Sequence, residues 1–274
     1  MTKTYAAALQ AATKRLEAAG IDPDGANYVL TTRLDWRRSQ LVLHGRDEMP
    51  AETLTQFDQD VDALVAGNPA QYVVGRAPFW GRWFVVNPGV LIPQFDTELL
   101  VEWMLEDQVG GYGIDVGTGS GAIGVTLKLE RPLMHMTLSD ISQPALTVAA
   151  ANVRALNAEV TLNQGNLLEG TDKYDVIVAN LPYIAYDERD VMDPSVVAHE
   201  PHLALFAEDN GLALFRELFQ QIPRHIRPGA RVYLEFGYHQ KAAIARMIAT
   251  MLPLGTATFR RDDAGHDRAV RIQF

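Results

Sequence analysis

The sequence predicts an α/β protein, with a doubly wound sheet preceded by a helical domain and a short β-hairpin. Two observations support this prediction. Before position 70, apolar residues recur at the three-to-four spacing of amphipathic helices. From Gly113 onward, short β-type runs alternate with helical patterns, which is typical of a parallel sheet with helices on both faces. Because 47% of the 274 residues are hydrophobic, the chain can bury a large core.

Three helices are predicted in the N-terminal part of the chain. The first covers residues 8–19 and ends near Gly20, a residue typical of helix C-termini. The second covers residues 26–34. The third follows Pro50 and stops before residue 67, where a Gly-Asn-Pro sequence interrupts the pattern.

Short β-type runs separated by turn residues fill the next segment of the chain. They lie at residues 72–74, 79–80, 83–86 and 90–92. Short β-type runs separated by turn residues are typical of a hairpin that connects two domains. A helix is expected to follow, with Asp96 or Thr97 as its N-cap.

The remaining pattern predicts the sheet and the helices that cover it. Strands are expected at residues 114–116, 134–138, 160–162, 174–179 and 231–236, with an antiparallel pair at 256–259 and 269–274. Helices are expected at residues 123–129, 144–157, 212–222 and 240–251. The run at 174–179 is continuously apolar, as in strands buried on both faces.

Composition excludes several classes of function. Because the chain has no cysteine, disulfides, cysteine nucleophiles and thiolate metal sites are excluded, and the histidine spacing gives no reason to expect a metal. The net charge of −10 disfavours a broad nucleic-acid-binding surface. No apolar run approaches the ~20 residues of a membrane span, and the first residues lack the apolar segment of a signal peptide. We therefore expect a cytoplasmic protein.

A glycine-rich loop follows the first predicted strand of the sheet. Its glycines permit positive φ and close approach to a ligand, and the helix after it presents free N–H groups. Asp140 lies nineteen residues past Gly121, at the end of the next strand, where an acid can accept hydrogen bonds from ribose hydroxyls. The predicted cofactor-binding residues are therefore Gly117, Thr118, Gly119, Ser120, Gly121 and Asp140.

The loop alone is compatible with two cofactors. Read as Gly117-x-Gly119-x-x-Ala122, it fits the relaxed dinucleotide fingerprint of NAD enzymes. The Gly-x-Gly-x-Gly form with Asp115 two residues earlier is the pattern that S-adenosylmethionine enzymes usually show. A glycine turn without a ligand also remains open.

The tetrapeptide Asn180-Leu181-Pro182-Tyr183 ends the apolar strand, on the edge where doubly wound folds place their sites. Methylation of a planar nitrogen needs two acceptors that take its N–H protons and hold it towards a methyl donor. The Asn180 side-chain carbonyl and the Leu181 backbone carbonyl can be those acceptors, with Tyr183 against the flat amide and Pro182 stiffening the turn. Alone, the tetrapeptide is also typical of a simple turn after a strand.

Together these motifs closely resemble the bacterial release-factor glutamine N5-methyltransferase family over nearly the full length of the chain. The resemblance is carried by the glycine loop, Asp140-Ile141-Ser142, the Asn180–Tyr183 tetrapeptide and the following segments. These are residues 71–75, 79–81, 90–93, 96–98, 200–201, 204–206, 209–212, 235–237 and 265–268.

The resemblance implies both architecture and activity. It implies an N-terminal helical substrate-recognition domain at residues 1–69, a β-hairpin linker at 70–93 and a Rossmann-like class I methyltransferase domain at 94–274. The family uses S-adenosylmethionine to methylate the glutamine of the Gly-Gly-Gln loop of peptide chain release factors, which act in translation termination. It implies that Asn180–Tyr183 hold that glutamine, with Asn180, Leu181 and Tyr183 catalytic.

Three departures from the family pattern are visible. The family tetrapeptide is normally Asn-Pro-Pro-Tyr, so Leu181 removes one φ restraint from the turn. Gln94-Phe95 replaces an arginine and its neighbour. Near the expected adenine site, Asn166-Leu167 replaces an acid and an aromatic residue; we expect Asn166 to hydrogen-bond the adenine amino group and Leu167 to give apolar contact. Asn180 is assigned to the cofactor site as well as to the substrate site.

Alternative functions are kept open at this point. A ribosomal-protein glutamine methyltransferase and a DNA amino-methyltransferase present the same chemistry to the same tetrapeptide, although the acidic charge disfavours DNA. A protein that binds the cofactor without turnover, and a dehydrogenase, are further rivals. We expect a monomer whose partner is a release factor, without direct contact to nucleic acid or membrane.

Overall fold

The computed structural model describes residues 3–274, so the first two residues of the segment examined for a signal peptide lie outside it. The chain forms two compact units. The first contains the chain as far as Arg76 together with Asp193–His199. The second contains Ala77–Met192 and Glu200–Phe274.

The first unit is helical. Its five N-terminal helices are α1 (Tyr5–Ala18), α2 (Asp24–Leu34), α3 (Arg38–His44), α4 (Ala51–Val65) and α5 (Ala70–Val74). Leu16, Leu30 and Phe57 lie in the buried core that α1, α2 and α4 share. The three predicted helices are confirmed, whereas α3 was not predicted because it buries no residue and therefore shows no apolar stripe.

The prediction of a β-type run at residues 72–74 is wrong, because these residues belong to α5. The helix begins after Pro69 and ends at Gly75, whose φ of 76° is left-handed. Val73 and Val74 pack against the core of the first unit. Packing of these β-branched side chains therefore overrides their preference for strands.

The hairpin consists of β1 (Arg76–Phe79) and β2 (Arg82–Val85). Trp80 and Gly81 form its two-residue turn with φ of 48° and 69°, the positive values that a tight hairpin turn needs. Phe79 and Phe84 are buried and meet edge to face, with ring centroids 6.1 Å apart. The hairpin is thus confirmed within residues 76–85, while residues 90–92 form no strand.

The second unit is built on a seven-stranded sheet. Its strands are β3 (Tyr112–Val116), β4 (His135–Asp140), β5 (Val160–Gln164), β6 (Tyr174–Ala179), β7 (Ile226–Glu235), β8 (Thr256–Arg261) and β9 (Asp267–Gln273). Their order is β5-β4-β3-β6-β7-β9-β8. The strands β3 to β7 pair in parallel, and β9 is antiparallel to β7 and β8.

Helices cover both faces of this sheet, which confirms the predicted doubly wound α/β class. They are α6 (Phe95–Glu106), α7 (Ala122–Glu130), α8 (Gln143–Ala155), α12 (Ala213–His225) and α13 (Lys241–Met251). The chain between β6 and α12 also contains a 3-10 helix at Tyr186–Val191, α10 (His202–Leu205) and α11 (Glu208–Gly211), while α9 (Pro194–His199) belongs to the first unit. One core lies under α6, α7 and α8, and the other lies under α12 and α13.

Two further details of the helices matter. Gln94, not Asp96 or Thr97, is the N-cap of α6, so both predicted caps lie inside its first turn. Thr97 therefore lies in the first turn of α6, where its hydroxyl hydrogen-bonds Glu235 of β7. Within the part of the chain that the structure describes, every helix is too short or too polar to cross a bilayer.

Candidate active site

The ends of four neighbouring strands form the candidate site. Val116 of β3 is in register with Ser139 of β4 and with Ala179 of β6, and Ala179 is in register with Leu234 of β7. The residues after these positions therefore line up along one edge. The chain order reverses between β3 and β6, and such a switch point is where doubly wound sheets bind ligands.

The glycine loop after β3 is held in shape by a buried carboxylate. Asp115 Oδ2 accepts hydrogen bonds from the Thr118 hydroxyl at 2.6 Å and from the Gly124 N–H at 2.9 Å. Gly117 and Gly119 have φ of 68° and 54°, which glycine adopts without strain. Burial raises the pKa of Asp115 to about 6, against the two hydrogen bonds, which lower it.

Asn152 of α8 holds the same loop from the other side. Its Nδ2 donates to the Ser120 carbonyl at 2.8 Å and to the Val85 carbonyl at 3.0 Å, and its Oδ1 accepts the Val85 N–H. A side chain that is 0% exposed therefore joins the loop to strand β2. No motif in the sequence had indicated this residue.

Asp140 ends β4 beside the loop. Its Oδ2 accepts the Gly119 N–H and its Oδ1 accepts the Ser142 N–H, each at 2.9 Å. Burial raises the pKa of this carboxyl, whereas the backbone donors lower it. The side chain is thus fixed in one orientation at the wall of a cavity.

One cavity gathers most of the residues predicted to form the site. The predicted residues on its wall are Gly117, Thr118, Gly119, Ser120, Asp140, Asn166, Leu167, Asn180, Leu181 and Pro182. Gly121 and Tyr183 are not part of the wall. Gly121 begins α7 with a φ of 83°, and Tyr183 turns towards β7.

Asn180, on the cavity wall, belongs to a chain of hydrogen bonds. Its Nδ2 donates to Thr97 Oγ1 at 2.9 Å, and the Thr97 hydroxyl donates to Glu235 Oε2 at 2.7 Å. The Tyr183 hydroxyl donates to Glu235 Oε1 at 3.1 Å. Both oxygens of a carboxylate at the end of β7 therefore organise residues of the tetrapeptide.

The surroundings of Glu235 are nearly dry. Only 2% of the residue is exposed, and burial raises the pKa of its carboxyl to about 7. The hydrogen bonds from Thr97 and Tyr183 and the charge of Arg268 oppose this rise, while Asp96 adds to it. Arg268 pairs with Asp262 at 3.1 Å and with Asp96 at 3.3 Å.

Two hydrogen-bond acceptors of the tetrapeptide have no donor in this network. Asn180 Oδ1 and the Leu181 carbonyl accept no hydrogen bond from residues 3–274. Leu181 itself is 3% exposed and packs in the core beneath the site. Two adjacent residues of the cavity wall therefore each carry a carbonyl oxygen without a donor among the described residues.

Asn166 and Leu167, in the loop after β5, also line the cavity. Asn166 Nδ2 donates to Glu217 Oε1, which leaves its own carbonyl oxygen as the acceptor. Leu167 has a φ of 54°, a strained conformation for a branched side chain. Strain of this kind is characteristic of sites where the backbone is fixed for a ligand.

Sequence reasoning treated Thr97 only as a candidate helix cap and assigned no site role to Glu235, Glu217 or Asn152. A signal for Glu235 was present, since it is an acid at the carboxyl end of an apolar strand.

Other acidic residues near the site have structural contacts. Glu98 and Glu200 accept the N–H groups of Trp80 and Ile92. Among the described residues, no three histidine, aspartate or glutamate side chains converge on a possible metal site.

Comparisons with known proteins agree with this geometry. Residues 84–199 match the family model of the methyltransferase small domain. A solved methyltransferase from Pyrococcus furiosus has a similar fold, with a TM-score of 0.54 and 18% identity over 71% of this chain and 89% of that chain. Strand order and glycine loop thus define a class I methyltransferase.

The family follows from the whole chain. Residues 7–75 match the model of the PrmC N-terminal domain. The chain is 39% identical to a release factor glutamine methyltransferase of Enterococcus faecalis over 98% of both chains. It is 32% identical to one of Staphylococcus aureus over 98% of this chain and 99% of that one. This protein belongs to the release factor glutamine methyltransferase family.

Proposed function

We propose that this protein transfers a methyl group from S-adenosylmethionine to the side-chain amide nitrogen of the glutamine in the Gly-Gly-Gln motif of peptide chain release factors. One observation carries the proposal. Asn180 Oδ1 and the Leu181 carbonyl lie on adjacent residues at the wall of the cavity, and neither has a donor within the described chain. A primary amide has two N–H groups, which match two such acceptors.

The residues present fit S-adenosylmethionine. An added Cβ at Gly119 meets no protein atom within 4 Å, so the backbone there opens on the cavity. Asp140 is a buried, oriented carboxylate suited to a pair of ribose hydroxyls. We assign the part of the cavity beside Asn166 and Leu167 to adenine, with Asn166 Oδ1 for its amino group and Leu167 against its ring.

When bound, the cofactor supplies an electrophilic methyl group on a sulfonium sulfur. The chain holds and polarises the nucleophile, since an amide nitrogen has a delocalised lone pair and attacks poorly. Asn180 Oδ1 and the Leu181 carbonyl each accept one N–H and restrict the nitrogen to one orientation, which lowers the barrier. Their dipoles also stabilise the positive charge that develops as the new C–N bond forms. Pro182 restricts the turn. The Tyr183 ring is not part of the cavity wall, so flanking the amide is a role that we propose for it in the complex with substrate.

No residue needs to act as a strong base before transfer. The amide proton becomes acidic only as the nitrogen gains its fourth bond, so it is released to solvent after the methyl group has moved. The site agrees with this requirement, since the two acceptors are neutral carbonyl groups.

The test is methyl transfer from radiolabelled cofactor to purified release factors. Label should enter the wild-type factor and be absent when the glutamine of Gly-Gly-Gln is replaced. Asn180→Ala should lower turnover by about 100-fold because one acceptor is lost, whereas Asn157→Ala, at an exposed position after α8, should not. Labelling of ribosomal proteins or DNA instead would support the rival functions. The proposed substrate places the reaction in the cytoplasm, at translation termination.

A further inference from the structure

We propose that Thr97 and Glu235 are positioning residues that fix the side-chain amide of Asn180 with its oxygen towards the substrate. This inference rests on the proposed function and extends it to two residues that act through Asn180, one of them, Thr97, on the cavity wall. Thr97 lies on α6 and Glu235 at the end of β7, and 138 positions separate them. Only the fold brings them to Asn180.

The direction of the hydrogen bonds carries the inference. An ionised carboxylate accepts and does not donate, so Glu235 Oε2 takes the single proton of the Thr97 hydroxyl. The Thr97 oxygen is then left only as an acceptor towards Asn180, 2.9 Å away. The group of Asn180 that faces it must therefore be the NH2 group.

The contact with Thr97 also fixes the direction of Oδ1, the other polar atom of the Asn180 amide. If the side-chain amide of Asn180 were rotated by half a turn, Oδ1 would face Oγ1 of Thr97 with no proton between the two oxygens. Such a buried contact between two acceptors costs the hydrogen bond and the desolvation of both groups. Oδ1 is therefore held towards the cavity, where a glutamine N–H needs an acceptor.

The charge state of Glu235 decides the direction of this chain. Four groups face its carboxyl: Thr97 and Asp96 from α6, Tyr183 from the loop after β6, and Arg268 from β9. Once Glu235 is protonated, its carboxyl can itself donate a hydrogen bond to the Thr97 or the Tyr183 oxygen. The Thr97 hydroxyl no longer has to donate to Glu235, so it can donate to Asn180 instead. The amide then loses its fixed orientation. Turnover is expected to fall as the pH decreases through about 7, the pKa of Glu235.

The test compares Thr97→Val with Thr97→Ser in steady-state methylation of a release factor. Valine keeps the shape and removes the hydroxyl, so kcat should fall by about 10- to 100-fold, with a smaller change in the KM for the release factor. Serine keeps the hydroxyl and should restore kcat to within about threefold. Glu235→Gln should lower kcat and abolish its decline below pH 7, a readout that loss of packing alone would not change.

The matched control is Thr126→Val. Thr126 is 0% exposed in α7, its hydroxyl has no partner within residues 3–274, and it does not line the cavity. This change should leave kcat and the pH profile unaltered. Wild-type turnover in Thr97→Val, or equal defects in Thr97→Val and Thr97→Ser, would overturn the proposal, provided that thermal unfolding shows both variants to be folded.

A second measurement separates this inference from the proposed function. The NH2 protons of Asn180 are assigned by NMR, and their exchange with solvent is followed without any substrate. Exchange should be slow in the wild type, in Thr97→Ser and in Thr126→Val, and fast in Thr97→Val. If release factors are not methylated at all, the proposed function fails, yet this exchange pattern still decides whether Thr97 orients Asn180.

Discussion

The Tyr183 hydroxyl lies 3.1 Å from Oε1 of Glu235 and donates a hydrogen bond to it. This bond connects the loop after β6 with the end of β7, the next strand in the sheet. Tyr183 therefore has two separable parts, a hydroxyl engaged with the buried carboxylate and a ring assigned to flank the substrate amide.

Tyr183→Phe removes only the hydroxyl. The ionised form of Glu235 loses one donor, so the pKa of this carboxyl should rise above about 7. The decline of kcat at low pH should then move to higher pH, while kcat at pH 9 falls by less than about fivefold. Tyr183→Ala removes the ring as well and should lower kcat by about 100-fold. Equal losses in the two variants at pH 9 would contradict a role for the ring.

Glu235→Gln should change the pH dependence of stability. Burial raises the pKa of Glu235 from 4.5 to about 7. Between these values the folded protein retains a proton that the unfolded chain releases, so the free energy of unfolding decreases as the pH rises through this window. Glutamine does not titrate. From pH 5 to pH 8 the wild type should lose roughly 2–3 kcal/mol relative to the variant.

The measurement is urea unfolding followed by tryptophan fluorescence at both pH values. Asp115 and Asp140 also have raised pKa values, but they are present in both proteins and cancel in the difference. Glu159→Gln, at an exposed position, is the control and should unfold in parallel with the wild type. Parallel curves for Glu235→Gln would mean that Glu235 does not titrate in this range.

The features that were predicted correctly are those that a local sequence pattern determines. The strand Tyr174–Ala179 is observed with the predicted bounds, and Asn180 follows it at the carboxyl edge. Residues 72–74 were assigned wrongly because contacts with distant helices decide their conformation. The pairing of Thr97 with Glu235 depends on the strand order and on the turn at which α6 begins, and no local pattern records either of these.

Leu181 tests whether the backbone or the side chain serves the reaction. Its side chain is buried in the core, so Leu181→Ala should lower the free energy of unfolding by about 2–4 kcal/mol. The carbonyl remains, so kcat per folded molecule should stay within about threefold at low temperature. Leu218→Ala, in the same core but away from the cavity, gives the matched loss of stability. A loss of kcat above tenfold in Leu181→Ala alone would assign the role to the side chain.

Gly119 offers the sharpest test of the cofactor site. Alanine there carries a left-handed φ of 54°, which costs about 1 kcal/mol, and its Cβ enters the space assigned to S-adenosylmethionine. Gly170 has a φ of 72° and equally open surroundings, but it lies outside the cavity wall. Both alanine variants should therefore lose similar stability. Calorimetry should show cofactor affinity reduced by about tenfold or more in Gly119→Ala alone. Equal affinities in the two variants would place the cofactor elsewhere.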